Sequence, residues 1–344
     1  MSLQNDSAET VVTKQNKPKL KKALIIIAIV LLCLLIAALS AYAVMYNIGK
    51  KQLLETNRQT DTSNFEEFDD TVVEHNGTIY KYNENITSIL FMGVDKKSIK
   101  TESDDYGTNG QADAVYLMAI DTSTGKTDVI GISRDSMADI SLYSKEGRYI
   151  GTEKMQLCLA YAYGDRRHSS CQNVVQSVSR MFYGIPINTY FAIDLSGINP
   201  LVKAIGGFTV NEYDENNNVV GTKYINSKNA MEYVRTRDNA VLDSNVSRMS
   251  NQQEFLKAFA AKATEQTKQD FMVPVQLYNV VADYAVTNIN ASKITYLASK
   301  YISANTSIAF HTVQGQVVQG EYAEFHIDTD SLYDLLLDIY YVKQ

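Results

Sequence analysis

Tryptophan is absent from this 344-residue chain, which also holds only four prolines, three cysteines and four histidines. Each scarcity closes a class of function. Three cysteines are too few for a small disulfide-stapled scaffold. His75, His168, His311 and His326 are isolated singletons, so no Cys/His spacing suited to zinc exists. No Gly-x-x-x-x-Gly-Lys-Ser/Thr loop is present to cradle a nucleotide, and no nucleophilic serine elbow. What the chain does have is tyrosine, 23 residues of it, within a composition typical of a well-ordered globular protein.

One apolar run stands out by length. Residues 23–46 include Ile25, Ile26, Ile27 and the stretch from Leu31 to Ile36, and carry no charge. Roughly 20 apolar residues span a bilayer core, so this segment predicts a single membrane crossing. It is longer than the apolar region of a cleaved signal peptide, and no clear small-residue cleavage site comes after it, which points to a retained anchor. Lys14, Lys17, Lys19, Lys21 and Lys22 precede it, whereas only Lys50 and Lys51 follow closely. By the positive-inside rule, residues 1–22 are then a cytoplasmic tail and the remainder lies outside the cell. Beyond residue 51 the chain holds 25 basic and 37 acidic residues, a net charge of about −12. Such an exterior is not built to coat nucleic acid, and the tail is too short for a helix-turn-helix, which argues against a transcriptional regulator. In an oxidising exterior, Cys158 and Cys171 predict a disulfide around the 164–168 loop, with two unpaired buried thiols as the alternative. Cys33, inside the apolar run, reads as a small packing group.

The rest of the chain alternates between strand and helix signals. Residues 47–84 are polar and read as a stalk. Strands are predicted at 86–94, 114–120 and 126–133, the last two joined by a turn from Asp121 to Gly125. Helical spacing follows at 156–163 and 172–182, a strand at 190–193, a helix at 195–205 stopped by Gly206 and Gly207, and a short helix at 226–234. The pattern predicts an α/β domain at 85–265, a mixed central β-sheet flanked by helices, preceded by one transmembrane helix. Residues 266–344 read as a C-terminal α/β extension, ending in an amphipathic helix with Leu332, Leu335, Leu336 and Ile339 on one side.

Against this acidic background the segment from Tyr233 to Arg237 is unusual. On an extended backbone Arg235 and Arg237 share a face, and paired guanidinium forks suit phosphate oxygens. A solvated salt-bridge strip with Asp238 and Asp243 is the plainer alternative. Asp95 ends one predicted strand and Asp113 begins the next, so both could reach one hard cation such as Mg²⁺.

Seven blocks carry a family resemblance: ILFMGVD (89–95), ADAVYLMAID (112–121), VIGISRDSM (129–137), LAYAYG (159–164), the run from Tyr183 to Val210, INSKNAMEYVRTR (225–237) and RMSNQQ (248–253). In this order, and behind one N-terminal anchor, they resemble the LytR–CpsA–Psr (LCP) family. The resemblance implies an α-β-α fold and a surface phosphotransferase. Such an enzyme moves a teichoic acid, capsule or other anionic glycan from an undecaprenyl-pyrophosphate carrier onto peptidoglycan, forming a phosphodiester and releasing the lipid phosphate. A pyrophosphatase side activity is also implied, with Mg²⁺ or Mn²⁺ as cofactor. By the same resemblance Asp95 and Asp113 match the metal-binding acids and Arg134 the phosphate arginine, with Asp135 either orienting Arg134 or capping the next stretch of chain. Arg235, Arg237 and Arg248 match pyrophosphate-binding arginines, Gln252 a polar contact, and Asp243 a candidate base. A lipid tail needs an apolar bed, for which 174–182, 190–193 and 201–205 are candidates, although they read equally as core.

Several family positions depart from the pattern. Gln111, Ala138 and Asn251 stand where basic residues are usual, Asn245 where an acid is, and Gln156-Leu157-Cys158 replaces Lys-Leu-Asn. Each lost cation removes a charge-assisted contact of roughly 1.5–3 kcal/mol. A binder of polyprenyl pyrophosphate or wall glycan, retaining the fold without full activity, is therefore the alternative reading.

Overall fold

The computed structural model describes residues 17–54, 71–101, 107–108, 110–164, 167–213, 219–236, 244–270, 272–303, 307–320 and 322–344. Helix α1 (Lys17–Leu54) is one uninterrupted helix of 38 residues, about 57 Å long at 1.5 Å per residue. That is nearly twice the ~30 Å hydrocarbon thickness. From Ile29 to Val44 its large apolar side chains are exposed, as a lipid-facing helix requires and a core helix would not allow. Its last turns are different: Gly49 and Leu53 are buried in the folded domain. The expected stalk is therefore folded structure at both of its described ends. Its beginning continues α1, and its end forms the hairpin β1 (Val72–His75) and β2 (Thr78–Tyr82).

Strand β3 (Ile86–Val94) is buried along almost its whole length, Thr87 and Ser88 included. Next come β4 (Ala112–Asp121) and β5 (Lys126–Ile132). The turn between them is held by Asp121, whose carboxylate accepts from Ser123 N at 2.7 Å and Thr124 N at 3.2 Å. A hairpin that the sequence did not reveal comes next, β6 (Met137–Tyr143) and β7 (Tyr149–Gln156), then α2 (Leu159–Ala162) and α3 (Arg167–Met181). Strand β8 (Thr189–Asp194) leads through a 3₁₀ turn to α4 (Ile198–Ile205). Gly206 ends α4 in the left-handed region at φ 80°, where a side chain would be strained.

A second layer comprises β9 (Phe208–Tyr213), β10 (Val219–Ile225), α5 (Ala230–Arg235), α6 (Ser244–Gln269) and α7 (Val273–Val281). The chain closes with β11 (Ala285–Thr287), α8 (Ala291–Ser303), β12 (Ser307–Thr312), the hairpin β13 (Gly315–Gln319) and β14 (Ala323–Ile327), α9 (Thr329–Tyr340) and β15 (Tyr341–Lys343).

The central sheet has six strands in the order β11-β8-β3-β4-β5-β12, with β3/β8 and β5/β12 parallel and the other pairs antiparallel. This is the expected mixed sheet, but both edge strands come from residues beyond 265. The expected separate extension is instead woven into the same sheet, and β15 adds to β2. Leu332, Leu336, Ile339 and Tyr340 of α9 belong to the main core with Leu90, Leu117, Ile130, Val174, Val178 and Phe182. The Tyr340 hydroxyl lies 3.0 Å from Ser88 Oγ, a buried polar pair joining α9 to β3. A smaller core gathers Val202, Ile205, Phe208, Tyr233, Val234 and Phe255. Of the stretches considered for a lipid bed, Val174, Val178, Phe182, Tyr190, Ala192, Val202 and Ile205 are fully packed core.

The predicted Cys158–Cys171 disulfide is not formed; both thiols are free and buried. Cys158 faces Arg134, whereas Cys171 on α3 pairs with the Tyr161 hydroxyl, so each side chain has a different partner. Burial pushes the Cys158 thiol up to about 11, despite the opposing charge of Arg134, and Cys171 up to about 12. Only the thiolate is nucleophilic, so at pH 8 a group of pKa about 11 is about 0.1% reactive. In a Cys33→Ser background we expect iodoacetamide at pH 8 to alkylate Cys158 and Cys171 at least 100-fold more slowly than free cysteine. Guanidinium should restore the full rate, and mass spectrometry reads both sites. Alkylation of the folded protein at the free rate would contradict this burial.

Gly49 gives a second test. A Cβ there would sit 2.0 Å from the Ser292 carbonyl oxygen of α8, so the two helices touch backbone to backbone. Helix propensity alone says that Gly→Ala stabilises by about 1 kcal/mol. Here Gly49→Ala is expected to destabilise by roughly 1–3 kcal/mol, the range for overpacking. Thermal unfolding of the full chain in detergent decides the sign.

Candidate active site

Strands β3, β5, β8 and β12 run in one direction and β4 in the other. The carboxyl ends of the four therefore meet the amino end of β4 at a single edge of the sheet, where open α/β sheets place their ligands. Asp95 follows β3 at this edge, Asp113 begins β4, and Arg134 follows β5. A register shift sets the orientation of Asp113. Gly93 pairs with Ala114 but Val94 with Ala112, so Asp113 is the extra residue of a bulge. A bulge breaks the side-chain alternation and re-aims the residue it carries.

Three loops are laced together here by backbone hydrogen bonds. Cys158 N donates to Arg134 O at 2.9 Å, Leu157 N to Ser136 O at 2.8 Å, and Ala112 N to Cys158 O at 3.1 Å. On this frame Arg134 donates from Nη1 to Asp113 Oδ1, and from Nη2 to Gln111 Oε1 at 2.6 Å and to Cys158 Sγ at 3.3 Å. Its Nε lies 3.3 Å from Asp135 Oδ1. Three of the five guanidinium N–H groups thereby donate hydrogen bonds, and Nε adds an ion-pair contact with Asp135. Arg134 and Asp113 are 17% and 19% exposed, so the pair is open enough for a ligand to reach. Burial pulls the Arg134 pKa down, Cys158, Asp113 and Asp135 push it up, and the balance raises it.

Asp135 thus orients Arg134, the first of its two sequence readings. Gln111, which stands where a basic residue is usual, is a hydrogen-bond partner of Arg134. Ala138, the second such position, is 3% exposed in the main core, where a cation would be stranded. Cys158 is the site residue that sequence reasoning missed; its adjacency to Arg134 depends on the β6–β7 hairpin folding back.

The arginine segment is placed differently from the sequence expectation. Arg235 is the last residue of α5 and exposed, not a strand residue. Ala230, Tyr233 and Val234 bury at helical spacing, and that burial selects the helix. Arg237 and Asp243 lie outside the described residues, and Arg248 is on the first turns of α6. Gln252 lies one turn further, donating from Nε2 to Val234 O at 3.3 Å, which ties α6 to the end of α5 beside Arg235.

A cavity of about 410 Å³ separates α6 from the Arg134 loop, with Met249, Ser250 and Gln253 on one wall and Ser133 and Asp135 on another. For a divalent cation, Asp95 and Asp113 stand at neighbouring strand ends, where Asp95 N donates to Gln111 O at 2.9 Å. Among the described residues, no group of three or more His, Cys, Asp or Glu could enclose a metal. The donor set fits Mg²⁺, which commonly takes one or two carboxylates and completes its shell with water and phosphate oxygens.

Comparison with known proteins agrees with this architecture. The LytR_cpsA_psr family model matches residues 42–336, including segments first read as stalk and extension. The chain is 24% identical over 263 residues to the polyisoprenyl-teichoic acid–peptidoglycan teichoic acid transferase TagU of Bacillus licheniformis, covering 73% of this chain and 76% of that protein. A solved Streptococcus agalactiae protein superposes with a TM-score of 0.59 at 22% identity, covering 74% of this chain and 86% of its own. TagV of Bacillus subtilis superposes with a TM-score of 0.55 at 19% identity, covering 74% and 96%. The match across most of the chain, on a mixed sheet with a charged cluster at its carboxyl edge, places this protein in the LytR–CpsA–Psr family.

Proposed function

We propose that this protein is a membrane-anchored phosphotransferase that moves an anionic glycan polymer from an undecaprenyl-pyrophosphate carrier to peptidoglycan. The observation that carries this reading is the Arg134 cluster, a guanidinium fixed by Asp113, Gln111, Cys158 and Asp135 at the carboxyl edge of the sheet. The TagU relative, a polyisoprenyl-teichoic acid–peptidoglycan teichoic acid transferase, supports the same class. An acceptor hydroxyl oxygen bonds to the polymer-bearing phosphorus, and the bond from that phosphorus to the bridging oxygen breaks. The lipid leaves as its phosphate, and the hydroxyl proton passes first to a carboxylate, for which Asp243 is the sequence candidate.

Charge sets the requirements of the site. Asp95, Asp113 and Asp135 outnumber Arg134, so a pyrophosphate meets net negative charge unless cations join it. Arg235, Arg237 and Arg248 supply three of these. Mg²⁺ held by Asp95 and Asp113, when bound, supplies charge neutralisation at the phosphate oxygens. Arg134, already locked, needs no reorganisation as charge develops, and its remaining Nη1 N–H is available for one phosphate oxygen. The lipid tail is assigned to the sheet face opposite the main core, where the half-buried rings of Phe91 and Phe191 lie 5.8 Å apart. The lysines before the apolar run support a cytoplasmic N-terminus with the domain outside.

The test uses the full chain in detergent micelles with a polyprenyl-pyrophosphate-linked oligosaccharide, with and without Mg²⁺. Arg134→Ala and Asp113→Ala are each expected to lower the release of polyprenyl phosphate by at least 100-fold, the scale for losing one electrostatic stabiliser. Release by Arg134→Ala within two-fold of the unmodified protein would sink the proposal. Tight binding with no release by the unmodified protein would instead favour the binder reading, in which its existing hydrogen bonds leave Arg134 too committed for turnover.

A further inference from the structure

The cavity beside Arg134 has a wall that belongs to neither the sheet nor α6. It is the β13–β14 hairpin, which supplies Gln314 at its entrance and Glu324 and Phe325 on its second strand. The hairpin is fastened to the loop that carries the arginine. Phe325 N donates to Asp135 O at 2.8 Å, and Ser136 pairs with Phe325 in an isolated parallel bridge. Asp135 therefore belongs to two surfaces, approaching Arg134 Nε with its carboxylate and lining the cavity. Whatever occupies the cavity lies next to whatever Arg134 binds.

The lining is specific in its chemistry. At about 410 Å³ the cavity falls within the ~300–1,000 Å³ range of small-molecule sites. Ser133, Gln253 and Gln314 supply hydroxyl and amide groups that both donate and accept, Asp135 and Glu324 accept, and Phe325 offers an apolar face. Among the described residues no lysine or arginine lines it, while two carboxylates do. A phosphate-bearing chain is thereby repelled, and an uncharged ligand rich in hydroxyls is favoured. From Val317 on the cavity wall outward, the hairpin keeps Val317, Val318 and Tyr322 exposed, Tyr322 at 68%, an apolar and aromatic surface on which a longer glycan can lie.

We propose that this cavity is the acceptor site: it holds an uncharged saccharide of the wall glycan with a hydroxyl directed past Asp135 toward the phosphate at Arg134. This rests on the transferase reading under Proposed function and adds the acceptor's chemical class and place. The donor's own first sugars share the same hydroxyl chemistry, and the test separates the two sources.

The probe is chitotetraose, a neutral β-1,4-linked N-acetylglucosamine tetrasaccharide, offered to the full chain in detergent micelles. Gln253→Ala and Glu324→Ala alter partly exposed side chains on opposite walls, and thermal unfolding verifies that each variant folds. Saturation-transfer NMR is expected to show binding to the unmodified protein, with Kd raised ten-fold or more in both variants, and binding retained by Arg134→Ala. In the transfer assay the acceptor KM should rise ten-fold or more in both variants while the donor KM moves less than two-fold. Absence of binding to the unmodified protein, unchanged affinity in both folded variants, or a shift confined to the donor KM would each overturn the acceptor assignment. Saccharide binding lost in the variants, with no release of lipid phosphate by the unmodified protein, would keep the saccharide site and overturn the transferase reading instead.

Discussion

Strand direction governs the chemistry of this protein. Because β12 runs parallel to β5, the chain leaving β12 emerges beside the chain leaving β5. The first carries Gln314 into the β13–β14 hairpin and the second carries Ser133, Arg134 and Asp135. An antiparallel β12 would deliver the hairpin to the opposite edge of the sheet, roughly 20 Å away for strands of six or seven residues. Helix α8 leads from β11 at one edge of the sheet to β12 at the other and packs on the end of α1. One choice of direction thus joins the membrane helix, the sheet edge and the wall of the cavity.

The arginine at that edge is held tightly. A guanidinium with three N–H groups hydrogen-bonded and a second carboxylate beside Nε cannot swing between rotamers to follow a substrate, and its planar fork is already paired with carboxylate, amide and thiol. Fixed charges of this kind suit a reaction in which charge redistributes over phosphate oxygens, because the stabilising groups are in place beforehand. The same arrangement explains the tolerance of Gln111 and Cys158. Both present a neutral acceptor to Arg134, where a cation would repel it. The departures from the family pattern at Gln111 and Cys158 are therefore mutually consistent with one oriented arginine.

Local signals were readable where one force acts alone. The 86–94 strand, the turn at Asp121, the stop at Gly206 and the apolar face of α9 arise from burial or from backbone conformation at single positions. Two of the overturned expectations failed for one reason. Cys158 and Cys171 are thirteen residues apart in a loop that invites a disulfide, yet Arg134 and Tyr161, from other elements, hold the thiols apart. Arg235 and Arg237 have the alternation of a strand, yet Ala230, Tyr233 and Val234 gain more by packing as a helix against α6. In both cases a neighbour remote in sequence outweighed the local pattern.

By itself the sequence determined the one helix long and apolar enough to cross a membrane, the α/β class, the family and the identities of the charged residues, since these derive from composition, hydrophobic period and motif order. It left undecided which of those residues meet. The bulge that turns Asp113 toward Arg134, the folding back of β6–β7 that delivers Cys158, and the recruitment of β11 and β12 to the sheet edges were settled only by tertiary pairing. Register and strand order are decided by contacts between segments tens to hundreds of residues apart, and no window along the chain contains both partners.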